Sequence, residues 1–502
     1  MDDLEHYRLN RRRMLAVTGG LAGLVTLAGV SPALAAEGAA SGRAAVGKGR
    51  DWLPGDHHIH SEFSVGYDES TSPPTPIIAG DAIYPIATNA TNAERYGLRW
   101  MVSTDHGGPN HSKLNAEQAY PTLLDSRRKV PGVLQFYGME FDTPAADHSS
   151  LIIPKVADER DILFSLESRF AKRDAFPTDP GRDTEPKMLE ALHAVRGLRD
   201  RPVLFANHPA RSATGLGVYG QDTPAEFRAW NDAAPEVSVG FEGAPGHQAG
   251  TLNRDGSLKP NGERGGYGNH PTMGGFDQMT ARLGGLWDSL LGEGRRWWIT
   301  STSDSHVHYT DGGSDFWPGE YSKTYVHATA DYADILDGLR NGRIFVTTGD
   351  LIDRLDLTVS RAGRGDGGPN QATVGESLLL RGRDDRGVDV EVRIRVPKTP
   401  NAHGDRPAPR RIDIIGGSIT GPVATPTVDT NPTTKVLARF DESNWRRDGD
   451  WITVTHKIDV PGAMYVRVRG TSTTELEPEP DAHGADPWAD LWFYSNPVFI
   501  RR

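Results

Sequence analysis

The sequence predicts an α/β fold that gives way to an all-β region near residue 350. Short apolar runs around 56–60, 99–104, 133–140, 149–153, 203–206, 237–242 and 297–303 are separated by longer helical or loop-like segments. Strands alternating with helices make an α/β barrel or a parallel sheet. Amphipathic stretches supply the helices: in 186–198, Met188, Leu189, Leu192 and Val195 share one face, and 332–339 is a second stretch closed by Asn341-Gly342. From 351 the period changes. Residues 388–396, 451–455 and 464–469 alternate polar and apolar side chains almost strictly, the pattern of antiparallel strands with one wet face, as in a β-sandwich. The polar, Gly- and Pro-rich segments 176–186 and 243–275 read as long surface loops.

A chain of 502 residues is long for one domain, so two are expected. With 37% hydrophobic and 24% charged residues it can bury a deep core. The formal charge of −12 argues against a nucleic-acid-binding face, because such faces are basic. It leaves open a small phosphate-bearing substrate, since bound cations reverse the local field. Residues 1–36 are expected to be a twin-arginine signal peptide. Asn10-Arg11-Arg12-Arg13-Met14-Leu15 resembles that export motif, a mildly apolar run covers 15–30, and Ala33-Leu34-Ala35 offers small residues for cleavage. Residues 37–50 then form a linker, and the mature chain is secreted with no transmembrane anchor. There is no cysteine, so an exported chain must rely on its core and on bound metal.

Residues with chemistry to offer stand at or just past the ends of the predicted strands, where barrel enzymes keep their sites. His58 and His60, at i and i+2 on a strand, point the same way. Then come Thr104-Asp105-His106, Gly138-Met139-Glu140, His148, Asn207-His208-Pro209 and Asp304-Ser305-His306. Seventeen histidines are present, but those between His57 and His308 spread over half the chain, so strand-end placement carries the argument rather than number. Carboxylates with neutral imidazoles suit Zn²⁺, Mn²⁺ or Fe²⁺. Two such cations sharing a carboxylate would generate hydroxide and clamp the oxygens of a displacement. Asp304 and Arg211 are the candidate catalytic residues, Arg211 as a partner for phosphate or an oxyanion. Asp105 is expected to orient a ligand. His111, His247, His270 and His308 fall in polar loops within reach of a substrate. No G-x-S-x-G elbow supports a serine mechanism.

In type and order these six motifs resemble those of the PHP superfamily, named for polymerase and histidinol phosphatase, across residues 51–349. The resemblance implies a distorted (β/α)7 barrel holding two or three divalent metal ions, followed here by a C-terminal antiparallel β-sandwich over 350–502. It implies one metal on His58, His60, Glu140 and Asp304, a second on Glu140, His148 and His208, and a third on His106, His306 and an acid. The family's acid stands shortly past the second histidine, where this chain has Val65; Asp68 is expected to take its place, with Glu62 the alternative. The opening Gly55-Asp56-His57-His58-Ile59-His60 and the closing Leu339-Arg340-Asn341-Gly342-Arg343-Ile344-Phe345-Val346-Thr347 look like the carbaryl-hydrolase-like branch. The function expected is hydrolysis of a small phosphoester outside the cytoplasm by metal-activated hydroxide. Hydrolysis of a carboxylic or carbamate ester by the same metals is the alternative, and a secreted non-enzymatic binding protein is the second.

Overall fold

β1 (Asp51–Asp56) lies at the centre of a large mixed sheet, with a small hairpin of β2 (Gly66–Asp68) and β3 (Thr75–Ile77) beyond its end. The computed structural model describes residues 49–363, 370–381 and 387–502, which fall in one compact unit, Lys48–Arg502. The expected signal peptide and most of the expected linker lie outside the described residues. No helix among these residues is long and apolar enough to cross a membrane.

On one side of β1 the sheet continues through β4 (Trp100–Ser103), β5 (Leu134–Asp142), β6 (His148–Ile153), β7 (Val203–Ala206), β8 (Ser238–Ala244) and β9 (Trp298–Ser301). β1, β4 and β5 run parallel, as do β7, β8 and β9, while β6 is antiparallel to both neighbours. These short strands are buried almost throughout, as strands covered on both faces must be. Helices such as Ile86–Arg95, Glu159–Phe170 and Pro224–Ala233 lie between them in sequence. The predicted stretch at 186–198 is the helix Glu185–Arg196, burying Met188, Leu192 and Val195. The stretch at 332–339 is the helix Tyr332–Arg340, whose Asp331 caps Ala333 and Asp334.

On the other side of β1 stand β10 (Ser322–Ala328), antiparallel to β1, and β11 (Ile344–Thr348), antiparallel to β10. The sheet path ends at β9. Across the gap to β10, the Thr324 hydroxyl accepts from Ser301 N–H and donates to Ser301 C=O, while the Asn496 amide does the same for Ile299.

The C-terminal strands are β12 (Arg354–Arg361), β13 (Gln371–Thr373), β14 (Ser377–Leu379), β15 (Gly387–Arg395), β16 (Arg411–Ser418), β17 (Lys435–Phe440), β18 (Arg446–Asp448), β19 (Trp451–Asp459), β20 (Met464–Thr471), β21 (Trp492–Ser495) and β22 (Val498–Arg501). β13, β12, β15, β19 and β18 make a separate antiparallel sheet. The others join the large sheet through β21, which pairs with β11. One apolar core accordingly mixes Trp52, Tyr321 and Phe345 with Leu357, Val392 and Ile452.

The alternation expected of the C-terminal strands holds in β15, whose even-numbered valines and Ile394 are buried while neighbours are wet. It fails in β20, which is buried on both faces. Arg467 there pairs with Asp288 of the helix Leu286–Gly292, and Arg469 with Asp413. Paired arginine reads as a wet position in sequence but can lie in the interior. The segment 243–275 also departs from expectation. Much of it is buried, including Ala249, Thr251, Arg264 and Tyr267.

Candidate metal centre

β1 ends at Asp56, before the two histidines, so His58 and His60 are not on the strand as expected. Ile59 instead makes a single parallel bridge to Ser305 and buries its side chain, which leaves His58 and His60 on the other side with ring centroids 4.9 Å apart. Asp56 tethers this exit by accepting from His58 N–H and Ser303 N–H; burial pushes its carboxyl up to about 7.

Four side chains meet first. His58 Nε2 lies 3.1 Å from Glu140 Oε1 and 3.1 Å from Asp304 Oδ1, and His60 Nε2 lies 3.1 Å from that same Asp304 oxygen. Glu140, near the end of β5, is shared with a second nest: His148 Nδ1 and His208 Nε2 stand 3.1 Å and 3.0 Å from its Oε1. A third nest gathers His60, His106 and His306. Within each group the candidate ligand atoms lie within 4.8 Å of one another.

Most of these imidazoles have one nitrogen held by the protein and the other turned inward. His58 Nδ1 donates to Glu242, His60 Nδ1 to the Ser64 hydroxyl, and His306 Nδ1 to the backbone carbonyl of Asp304. Ser64 in turn donates to Asp105, which also accepts from Ser61. Asp105 thus acts behind His60, as expected of it. His148 Nε2 lies 3.3 Å from Asp142. Such outer partners fix the tautomer of a metal-ligating histidine.

The inward atoms are the informative ones. His60 Nε2, His148 Nδ1 and Asp304 Oδ1 are buried and have no hydrogen-bond partner. Buried polar atoms are nearly always paired, and neutral imidazole nitrogens facing carboxylate oxygens are the donor set of a divalent cation. The residues therefore fit the expected metals. In the metal-free protein, burial opposes protonation of His148, but Glu140 and Asp142 hold its pKa up to about 10. Burial would likewise raise the carboxyl of Glu140, yet His148 and His58 hold it well below the usual range. A cation takes over the role of those protons, so its binding releases them.

The third nest corrects one expectation. Asp68 is on the β2–β3 hairpin, exposed, and accepts from the backbone and hydroxyl of Ser70. Val65, at the family's acid position, is a core residue. The acid facing His106 and His306 is Asp81, whose Oδ2 lies 3.1 Å from His106 Nε2 and 3.5 Å from His306 Nε2. Against burial, His106 and His306 hold the Asp81 carboxyl below the usual range.

No family model matches the chain, and no curated protein does. Among solved structures, similarity is found to a provisionally named metal-dependent phosphoesterase from Bifidobacterium adolescentis, at 13% identity and a TM-score of 0.26, covering 52% of this chain and 90% of that one. Endonuclease Q, solved with a 27-mer duplex bearing an abasic lesion, matches at 18% identity and a TM-score of 0.23, over 40% of this chain and 46% of its own. At these scores neither likeness carries weight for function; the side chains do.

Besides Asp81, two residues at the site went unread in the sequence. Glu242, on β8, is fully buried and accepts from His58, from His208 N–H and from the Thr302 hydroxyl. Asp315 accepts from the backbone N–H groups of His306 and Val307 and from His247 Nδ1 at 2.5 Å. His247, placed in a loop within reach of substrate, lies with Nε2 3.0 Å from Asp304 Oδ2. Arg211 Nη1 lies 3.5 Å from the same oxygen. Three other histidines turn elsewhere. His57 bonds Thr300 and stacks on Phe205; His111 pairs with Glu167 and His308 with Glu320.

The backbone is strained where the site is tightest. His208, His247 and Asp304 have φ of 32°, 53° and 47°, the left-handed region that costs a side-chain-bearing residue about 1–3 kcal/mol. Gly246 makes the approach of the 243–275 loop possible, since a Cβ there would sit 2.0 Å from Asp304 Cβ.

Proposed function

We propose that the chain is an exported, metal-dependent phosphoester hydrolase of PHP type. In this reading residues 51–349 are a distorted barrel that carries the site and 350–502 a β-sandwich that buttresses it. The observation supporting it is the convergence of imidazoles and carboxylates at one set of strand ends, with buried nitrogens of His60 and His148 and an oxygen of Asp304 left without partners. One ion would be held by His58, His60, Glu140 and Asp304, and a second by Glu140, His148 and His208. A third would be held by His106 and His306, with Asp81 as its acid.

Divalent cations there supply Lewis acidity toward a substrate oxygen and a nucleophile at neutral pH. The chain supplies the rest. Glu140 ties two nests together, so ions held in them would stay within one substrate's reach. Glu242, Ser64 and Asp142 hold the rings of His58, His60 and His148 against rotation. His247 and Arg211 flank the outer oxygen of Asp304 and keep its other oxygen turned inward. Arg211 and Arg173, which lies 3.5 Å from His106, put guanidinium groups beside the site. Such groups favour an anionic phosphoester over a neutral ester.

Purified protein with its metal content measured is tested on p-nitrophenyl phosphate, bis-p-nitrophenyl phosphate and p-nitrophenyl acetate. Turnover of a phosphate substrate is the expected result. Turnover of acetate or a carbamate alone sinks the phosphoester reading, and inertness toward every substrate sinks the hydrolase.

A further inference from the structure

A cavity of about 730 Å³ opens at the other end of the strands that carry the metal centre. Its wall includes Pro154, which follows β6, Arg201 and Glu236, which precede β7 and β8, and Arg296, which precedes β9. His148, His208 and Asp304 stand at or beyond the opposite ends of β6, β7 and β9. The four residues of β9 alone put about 13 Å between the two sites.

The lining is basic in a protein whose net charge is −12. Lys155, Arg201 and Arg295 face this cavity and are balanced by Glu159, Glu236 and Asp232. Arg296, Arg340 and Arg501 are not. Arg340 spends its guanidinium on the backbone carbonyls of Glu236 and Arg201, and no carboxylate among the described residues forms an ion pair with any of the three. Partial desolvation in the cleft, and then the charge of Arg501, lower the pKa of Arg296. Arg296 and Arg501, both exposed on this wall, thus carry like charges with no carboxylate ion-paired to either among the described residues.

We propose that this cavity binds a small, multiply charged anion of the phosphate class, gripped by Arg296 and Arg501 with Arg340 behind them. A guanidinium offers parallel N–H donors that match phosphate oxygens two at a time. Several guanidiniums around one cavity suit a ligand with more than one charge. The apolar part of the wall, Pro235, Tyr332 and Leu336, leaves room for a non-polar portion on such a ligand.

Pyrophosphate titrated calorimetrically into the full-length, metal-containing protein tests the site, with R296Q/R501Q and D304N variants run alongside. Binding to the wild type and to D304N is expected, with Kd raised about tenfold or more in R296Q/R501Q. Unchanged affinity in R296Q/R501Q of native circular dichroism overturns the proposal, as does binding lost only in D304N, which assigns the anion to the metals. Absence of binding at millimolar pyrophosphate also overturns it. Citrate serves as the second probe, and tighter binding of citrate than of pyrophosphate overturns the phosphate class.

Discussion

Asp288 and Asp304 are both buried carboxylates facing basic side chains, yet their surroundings differ in one respect. Asp288 Oδ1 accepts from Arg467 Nε at 2.9 Å and from Tyr465 at 3.0 Å; Oδ2 accepts from Arg467 Nη2 at 2.7 Å and from Gly284 N–H at 2.8 Å. Arg467 also lies over the ring of Trp287, with only its Nη1 unpartnered. Asp304 has two imidazoles within 3.1 Å of Oδ1 and a hydrogen bond from neither, and its backbone is left-handed. The first cluster is complete as folded. The second is held in place by strained backbone and outer partners, the mark of a group kept for a ligand.

Substitutions at the two aspartates separate these roles. Asp304→Asn is expected to lower turnover by roughly 10³-fold, the scale for a group acting at the reacting centre, with bound metal reduced and the urea midpoint little changed. Metal analysis and steady-state rates check it; a variant with full metal and full rate would move the reaction elsewhere. Asp288→Asn is expected to do the reverse. It leaves a buried guanidinium without its counter-charge, a loss of roughly 3–5 kcal/mol, while the folded fraction turns over normally. A change in urea midpoint below that range would mean that Arg467 finds another partner.

Gly246→Ala sharpens the contrast at smaller scale. Its Cβ collides with Asp304 and with the Ser303 carbonyl, and overpacking of this kind costs about 1–3 kcal/mol. The strain falls on a carboxylate whose Oδ1 has no hydrogen-bond partner, so kcat is expected to fall more than stability does. Equal loss in both would make Gly246 a folding residue alone.

The strand ends were legible because the residue just past a buried strand is exposed to a common rim, whichever strand it follows. His106, Glu140, His148, His208 and Asp304 could be placed in this way, and Asp105 behind them. Asp81 could not. It follows a proline-rich hairpin with no period, and only the path of that hairpin turns it toward His106. His247 could be placed within reach of substrate but not against Asp304, because its Gly-rich segment reads as surface although the chain folds inward there. Glu242 lies inside β8, and a carboxylate within an apolar run carries no sign of what it bonds. β20 failed for the converse reason: alternating arginines look wet, and only Asp288 and Asp413, far off in sequence, make them interior. Periodicity reports which side chains are apolar, and says nothing of which polar ones find partners.

The pair His111–Glu167 stands between the two aspartates, satisfied by the protein but open to titration. His111 Nδ1 lies 2.5 Å from Glu167 Oε1 and Nε2 3.0 Å from the Phe63 carbonyl, so both nitrogens face acceptors and the ring must carry a proton on each. Burial works against that charge, but Glu167 and the carbonyl raise the pKa to about 9 from an ordinary 6.5. Between those values the folded state holds a proton that the unfolded state has released. The contribution is complete below pH 6.5 and is lost as pH rises through 9, on the order of 1 kcal/mol per pH unit. Asp56 also loses stability with rising pH, but its carboxyl is pushed only to about 7; His247, raised to about 10 by Asp304 and Asp315 against burial, shares the window from 7 to 9 with His111. In metal-loaded protein, where the rim imidazoles hold cations instead of protons, urea midpoints are expected to fall across that window in the wild type. The slope is expected to be shallower in His111→Gln, and an equal slope in the variant would assign the proton to another group.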